Sequence, residues 1–336
     1  MQSINRTSNV SLIIPAQDAE AKLFKLFKLI PEWDAIPNEI IIIDSSKNLK
    51  LKPPEDFKLF TKKIKIKLLI IYGDNLYPGH ARNIGITNAT NSLLAFLDTS
   101  TYPNKEWLSQ NLKILEKHNS DGVWGLTYYS ANSYSSKIFR ACTYGDKPII
   151  TLPGSIFEKS VFYKCGYFIE SVRAGEDGDW MSRVSLQNIN MSNSTQYLNY
   201  NELNNLSLLE LFKKYFTYNT FVSKLPFFRA HKDFYYYAIS FIAVLIAFNW
   251  NMILASWDEE SIFYIPNITK ISVLVILVLY IYLRGVMLPK KKGVNIKFIF
   301  PINFIFISIF SGLLDIIKAM AFIYSKFTIE NNIEDH

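Results

Sequence analysis

The chain has 336 residues, 49% of them hydrophobic, including 20 Tyr and 25 Phe, enough for one large domain and a further region. Its formal charge of +7 raises nucleic acid as a partner, but no basic helix or aromatic-basic binding pattern accompanies the charge, and no nucleic-acid role is expected. The lysines are spread over the N-terminal half or stand beside apolar runs, where they suit anionic lipid headgroups. The two cysteines, Cys142 and Cys165, lack metal-ligand spacing and fit packed, reduced thiols. The opening MQSINRTSNV has no apolar core of the kind a signal peptide needs.

Residues 10–14 form a continuous apolar run closed by Pro15, the mark of a buried strand. Residues 20–30 follow as an amphipathic helix in which Lys22, Lys25 and Lys28 make a solvated stripe. Residues 40–43 and 64–72 are two more buried strands, 81–90 a helix opened by Pro78-Gly79, 93–97 a fourth strand and 104–118 the helix after it. Strands that are apolar throughout and alternate with helices predict an α/β fold with a mostly parallel central sheet and flanking helices. From residue 121 the alternation gives way to strand-like pieces and Ser/Tyr/Gly loops. Residues 154–168 predict a strand, a short helix and a turn; 175–186 predict a helix with acidic residues in its first turn, favourable against the helix dipole.

The character changes near residue 204. Residues 206–224 have apolar positions at helical spacing with Lys213, Lys214 and Lys224, which suits an amphipathic connector (204–232) lying on a membrane surface. Three apolar segments follow within 233–326, at about 233–256, 266–288 and 298–324. Each has the roughly 20 apolar residues a bilayer crossing requires. Arg284 is near enough to an end to snorkel, and Asp315 and Lys318, three apart, can pair. Basic residues flank the first segment on its N-terminal side and recur at Lys290, Lys291 and Lys292, whereas Asp258, Glu259 and Glu260 lie between the first and second. The positive-inside rule puts residues 1–203 and the Lys290 loop in the cytoplasm and the C-terminus outside, in a multi-pass protein of the cytoplasmic (inner) membrane.

Five short segments carry chemistry. Pro15-Ala16-Gln17-Asp18 closes the first strand, and Asp44-Ser45-Ser46 the second. Read by itself, Asp44 fits a turn or helix-cap residue. Gly79, Ala81, Arg82 and Asn83 form a Gly-x-Ala-Arg-Asn piece, in which a small residue permits close approach and Arg supplies fixed donors. Asp98-Thr99-Ser100 follows the fourth strand. Glu176-Asp177, with Asp179, Trp180 and Arg183, opens the helix over 175–186.

In this order and spacing, over roughly residues 9–187, the segments resemble the family-2 glycosyltransferases of GT-A fold. The resemblance implies a GT-A nucleotide-sugar-binding domain over 1–203, followed by an all-α transmembrane region. Pro15, Gln17, Asp44, Gly79, Arg82, Asn83 and Asp98 are then donor-binding, and Gln17 replaces the family's usual Asn. Asp177 is the catalytic base, with Glu176, Asp179, Trp180 and Arg183 supporting it. Asp98 and Ser100 occupy the place of the family's Asp-x-Asp metal motif. Ser100 lacks the second carboxylate, so a divalent cation, Mg2+ or Mn2+, has a weakened ligand set.

The resulting expectation is a membrane-anchored inverting enzyme of cell-surface polysaccharide assembly. It would move a sugar from a nucleotide-sugar donor to a membrane-associated acceptor, a glycolipid or polyprenyl-linked saccharide. Two other readings remain: a polyprenyl-phosphate sugar transferase, whose acceptor needs no strong base, and a non-catalytic nucleotide-sugar-binding or assembly protein. A processive synthase is disfavoured, because no Gln-x-x-Arg-Trp motif follows Asp177.

Overall fold

The computed structural model describes residues 7–47, 50–204, 206–225, 242 and 244–328. Strands β1 (Thr7–Ala16), β2 (Ile36–Asp44), β3 (Lys67–Tyr72) and β4 (Leu93–Phe96) are joined by helices α1 (Glu20–Leu29), α2 (Glu55–Lys63) and α3 (Pro78–Asn88). After β5 (Thr101–Tyr102) and α4 (Trp107–His118) come β6 (Gly122–Tyr129), α5 (Tyr134–Cys142) and β7 (Ile149–Glu158). Helices α6 (Lys159–Cys165) and α7 (Glu176–Leu186) and strand β8 (Met191–Tyr200) complete the mixed domain.

All eight strands share one sheet in the order β3-β2-β1-β4-β7-β6-β8-β5. The first four are mutually parallel. β7 pairs antiparallel with both β4 and β6, while β6 and β8 run parallel. The apolar runs of β1 and β2 are buried on both faces, as parallel strands covered by helices must be. One face carries Leu12, Ile14, Ile40 and Ile42 against Leu23, Leu26, Phe27 and Trp107. The other carries Ile13, Ile41 and Ile43 against Ala81, Ile86, Phe162 and Trp180.

The third strand starts at Lys67 rather than at residue 64. Ile64 caps α2, and Lys65 sits at φ 58°, a left-handed turn that ends the helix and resets the chain. Helices α2 and α5 and strand β8 were not expected from sequence. β8 (MSNSTQYLNY) has two buried positions, Ser194 and Leu198, among exposed or half-buried ones, so it has no apolar run to mark it.

Beyond the sheet lie α8 (Leu208–Val222), the five-residue α9 (Trp250–Leu254), α10 (Ile268–Lys291), the short α11 (Ile296–Ile299) and α12 (Asn303–Thr328). Within α10, Ile281–Met287 is wound as a π-helix. Two stretches, Ile268–Lys291 and Asn303–Phe327, are long and apolar enough to cross a membrane, with mean hydropathy 2.4 and 1.9. The first expected span, 233–256, falls partly outside the described residues, at 233–241 and 243, and α9 is the element named in the rest. Arg284 is held by a neighbouring helix. Its Nη2 reaches Asp315 Oδ1 at 2.6 Å, and Tyr280 donates to Asp315 Oδ2 at 2.9 Å, tying α10 to α12 by a polar cluster.

These helices dock on the mixed domain. The Lys292 ammonium donates to the Thr143 carbonyl at 2.5 Å, and Asp146 N–H donates to the Lys292 carbonyl at 3.0 Å. Tyr134 donates to Asn303 Oδ1 at 2.6 Å. One apolar cluster joins α5 to α8 and α12 through Ile138, Phe139, Leu211, Ile307 and Leu314.

On the sheet face that packs α1, Trp107 donates from Nε1 to the Gly154 carbonyl at 3.0 Å and meets the edge of Trp33 at 5.4 Å between ring centroids. Trp107 is 1% exposed. Trp107→Ala should therefore cost about 3–5 kcal/mol, read as a lowered melting temperature of the detergent-solubilised protein; Trp107→Phe should cost less, and an unchanged melt for both would show that this packing contributes little.

Candidate functional site

The parallel strands β2, β1 and β4 end side by side, with Ala16 in register with Asp44 and Ile13 with Phe96. The segments leaving these ends border a cleft of about 790 Å3, where open α/β sheets take their ligands. Pro15 and Gln17 line it from the end of β1, Ser45 from the end of β2 and Asp98 and Ser100 from the end of β4. The start of α7 adds Glu176 and Asp177.

At the floor of the cleft, Arg82 on α3 is held between two carboxylates. Its Nη1 donates to Glu176 Oε1 at 2.5 Å and its Nη2 to Asp98 Oδ1 at 2.9 Å. Arg82 and Glu176 are buried and Asp98 is partly open. Burial works against the guanidinium charge, but Asp98, Glu176 and Asp177 outweigh it and drive the Arg82 pKa above its ordinary value. Burial pushes the Glu176 carboxyl up to about 7, opposed by Arg82 and reinforced by Asp177. Among the described residues, Glu176 Oε2 is buried with no hydrogen-bond partner. Asp177 is half-buried, and its Oδ1 accepts the Gly178 N–H at 2.8 Å.

Several residues expected at the donor are placed elsewhere. Asn83 does not line the cleft. It clasps Phe168, donating to its carbonyl at 2.9 Å and accepting its N–H at 3.0 Å, and also donates to Glu170. Gly79 lies against the chain at Ile169, so that any Cβ would press into the Ile169 carbonyl. Asp44 organises the following loop, its Oδ2 accepting Leu51 N–H at 2.7 Å and its Oδ1 the Ser46 hydroxyl at 2.5 Å. It borders a smaller cavity of about 320 Å3 beside α1. These bonds fit the turn reading of Asp44, one of its two sequence readings.

The supporting residues of α7 brace the helix. Asp179 accepts from Arg183 Nε at 2.9 Å. Arg183 also reaches the Cys165 and Tyr167 carbonyls. Trp180 donates to the Gly166 carbonyl at 2.9 Å and stacks on Phe162 at 4.5 Å.

One wall of the cleft was not anticipated. Leu206, Glu210, Lys214 and Tyr218 line it, at intervals of four, which puts them on one face of α8 and the turn before it. Ser207 caps that helix with a reciprocal Glu210 bond. The opposite face packs on α12 through Phe212–Phe310 and Phe216–Tyr324 ring contacts. Burial, then the Asp177 charge, raises the Tyr218 hydroxyl above its usual range. Lys22, expected on a solvated stripe, also lines the cleft and is ion-paired to Glu202. Lys214 reaches the other Glu202 oxygen at 2.8 Å and Tyr200 Oη at 2.7 Å. Arg173 is a third cation on the cleft. The four-residue spacing of 206, 210, 214 and 218 is visible in sequence, but nothing there says which face meets the site.

Among the described residues, no group of three or more His, Cys, Asp or Glu is arranged to hold a metal ion. Asp98 remains a single anionic ligand beside Ser100, with one oxygen on Arg82. That fits a hard cation whose remaining ligands are phosphate oxygens and water, a usual arrangement for Mg2+. Asp98 would hold it, with Ser100 a neutral neighbour.

The mixed sheet and its flanking helices have a fold of GT-A type. Residues 11–165 match the family model for glycosyl transferase family 2. The poly(ribitol-phosphate) beta-N-acetylglucosaminyltransferase TarS of Staphylococcus aureus (strain Mu50 / ATCC 700699) is 25% identical over 114 residues. That match spans 33% of this chain and only 19% of that relative's length. The mannosyltransferase PcManGT from Pyrobaculum calidifontis, solved with GDP-Man and Mn2+, shares the fold at 12% identity and TM-score 0.52, over 95% of this chain and 88% of its own. The structure of S. aureus TarS 1-349 with UDP-GlcNAc aligns at 16% identity and TM-score 0.45, over 64% of this chain and 65% of that one.

Glu202 also gives the cleft a pH dependence. Burial opposes its charge, but bonds from Lys214, Lys22 and Tyr200 outweigh that and bring its pKa from 4.5 to about 2. Its contribution is therefore complete above 4.5 and is lost as pH falls toward 2. After solvent screening it should amount to on the order of 1–2 kcal/mol. Glu202→Gln should lower the melting temperature at pH 7 and narrow the gap to wild type as pH falls through that window; a constant gap would mean that its charge is not what stabilises.

Proposed function

We propose that this protein is a membrane-anchored, inverting glycosyltransferase that moves a sugar from a nucleotide-sugar donor to a membrane-associated acceptor in cell-surface polysaccharide assembly. The observation that carries this reading is the arrangement of Arg82, Asp98 and Glu176 beside a separate, half-open Asp177 at the ends of parallel strands. Pro15, Gln17 and Asp98 would meet the nucleotide. Arg82 would position Asp98 and Glu176 rather than contact the donor itself. Gly79, Asn83 and Asp44 would shape the surrounding loops.

Asp177 is the proposed base. Among the described residues its recorded hydrogen bond is to the adjacent Gly178 N–H, and no ion pair ties it down. The acceptor hydroxyl oxygen attacks the anomeric carbon, its proton passes to Asp177, and the bond to the diphosphate breaks with its electron pair leaving on the nucleotide. One base acting on the face opposite the leaving group gives inversion. A divalent cation, held by Asp98, would neutralise charge on the departing diphosphate. Asp179, Trp180 and Arg183 would keep α7, and so Asp177, in place.

The anchor would comprise α10 and α12 together with the apolar segment at 233–256, attached to a domain over 1–203 by the connector at 204–232. The basic Lys290–Lys292 turn would lie on the cytoplasmic side with the cleft. A TarS-like relative named for a poly(ribitol-phosphate) acceptor is compatible with a cell-surface polymer as the ultimate product.

Two measurements test the proposal. Across a panel of UDP-, GDP- and dTDP-sugars, the purified protein should hydrolyse or bind at least one donor. Asp177→Asn should lower turnover about 10²–10⁴-fold with donor affinity nearly unchanged, and Glu176→Gln and Asp179→Asn should lose less. Wild-type turnover in Asp177→Asn would remove the carboxylate base and favour a phosphate acceptor. For the anchor, the protein should remain in the membrane pellet after carbonate extraction; a reporter placed after Lys291 should lie in the cytoplasm and one after His336 outside, and two reporters on the same side would rule out the three-span arrangement.

A further inference from the structure

We infer that Lys22, Arg173 and Lys214 form a phosphate-binding rim of the cleft, built largely by chain outside the segment that matches the family. The inference rests on the nucleotide-sugar reading for its ligand but on separate residues for its site. Residues 11–165 carry the match; Arg173 and Lys214 lie beyond it, Lys214 on α8.

Charge accounting within the cleft leads to these three residues. Arg82 is committed to Asp98 and Glu176, and Asp177 adds a further carboxylate beside them. When these carboxylates are ionised, the floor has an excess of negative charge. A diphosphate brought there is repelled unless other cations meet it, and Asp98 with Ser100 holds at most a weakly ligated metal ion. Lys22, Arg173 and Lys214 are the other lysines and arginines among the described residues that line this cleft. Glu202 pairs with two of them and Glu210, bonded to Ser207, also lines this wall, so three cations face two carboxylates and the rim keeps an excess of one positive charge.

The geometry holds that charge in place. Glu202 is mostly enclosed, with its side chain 17% exposed, while Lys22 and Lys214 remain 44% and 57% exposed. One carboxylate therefore draws two ammonium groups together without covering them. Tyr200 completes the set, donating to Glu202 Oε2 at 2.5 Å while its oxygen accepts from Lys214. The two lysines come from α1 and α8, 192 residues apart by number, and converge only because β8 delivers Glu202 between them. Arg173 precedes α7 and is exposed, with no recorded ion pair among the described residues. A phosphate group is the ligand chemistry that such a preorganised cationic rim recognises. Its source is either the donor's diphosphate or a phosphate carried by the acceptor.

The test uses the full chain in detergent micelles, with chelator present. Calorimetric titrations are run with UDP, GDP, dTDP, inorganic pyrophosphate, uridine and a micellar polyprenyl phosphate. Lys214→Ala and Arg173→Ala should each weaken binding of the preferred nucleoside diphosphate and of pyrophosphate at least tenfold, and leave any uridine binding unchanged. Lys214→Arg should restore most of the loss. Lys213→Ala, on the same helix but off the cleft, should bind like wild type. Thermal melting checks folding, and Arg173→Ala removes no recorded ion pair, so its result stands if Lys214→Ala melts early. Loss confined to polyprenyl phosphate would support the rim and assign it to the acceptor. Wild-type affinity for all the phosphate ligands in Arg173→Ala and in a folded Lys214→Ala would overturn the rim. If wild type binds pyrophosphate through these residues but no nucleoside diphosphate, the rim stands and the nucleotide-sugar reading fails.

Discussion

The Arg82 guanidinium is the constraint around which the site is organised. It is buried, and a buried charge is tolerated only when paired and hydrogen-bonded. Its two partners come from different places in the chain, Asp98 from the loop after β4 and Glu176 from the first turn of α7. Removing one partner of such a pair typically costs about 3–5 kcal/mol, so α3, the end of β4 and the start of α7 are held in one relative arrangement. The neighbours of Arg82 serve the same end. Gly79 lets α3 approach the chain at Ile169, and Asn83 fixes the backbone at Phe168. On the proposed mechanism the Gly-x-Ala-Arg-Asn piece acts mainly as scaffold, and its effect on catalysis runs through the carboxylates it positions.

What could be read from sequence follows from what each signal depends on. β1, β2 and β4 are buried on both faces, so their apolar runs need no partner to be recognised, and the polar residues that end them mark the cleft. α3 and α7 announce themselves by Pro78-Gly79 and by Gly175-Glu176-Asp177. β8 is different. It lies near the far edge of the sheet and pairs with β6 and the two-residue β5, so its polar sequence carries no periodic core signal. Lys22 was placed on a solvated stripe because local spacing is all that a helix-face argument sees; its partner Glu202 lies 180 residues away. The Leu51 and Ser46 bonds of Asp44 join it to a loop that no local sequence signal links to it.

α8 shows why a segment's local character underdetermines its use. Its apolar and basic residues fit an amphipathic surface helix, and one face is indeed apolar. That face meets α12 rather than standing free, and the face bearing Lys214 and Tyr218 closes the cleft. Near its end, Val222 and the following Leu225 lie against Gly175, where a side chain would not fit. Gly175 also has φ 88° as it opens α7, a conformation that glycine adopts without strain. The residue just before Glu176-Asp177 is therefore fixed from both directions, by its own backbone and by the end of α8.

These contacts link the cleft to the apolar helices without any long-range device. α12 supports α8, α8 bears on Gly175, and Gly175 sets the start of the helix that carries Asp177. A second path runs through the Lys292 turn, which binds the carbonyls at the end of α5 and packs so closely against Gly145 that a side chain there would collide with it. Two attachments at separate points restrict rotation of the mixed domain about either one. If α10 and α12 cross a bilayer as proposed, the cleft is held at a fixed height and tilt relative to it. Such confinement favours an acceptor delivered along the membrane surface over one arriving from bulk solution, because the entropy of orienting the enzyme relative to that acceptor is already lost in the folded protein.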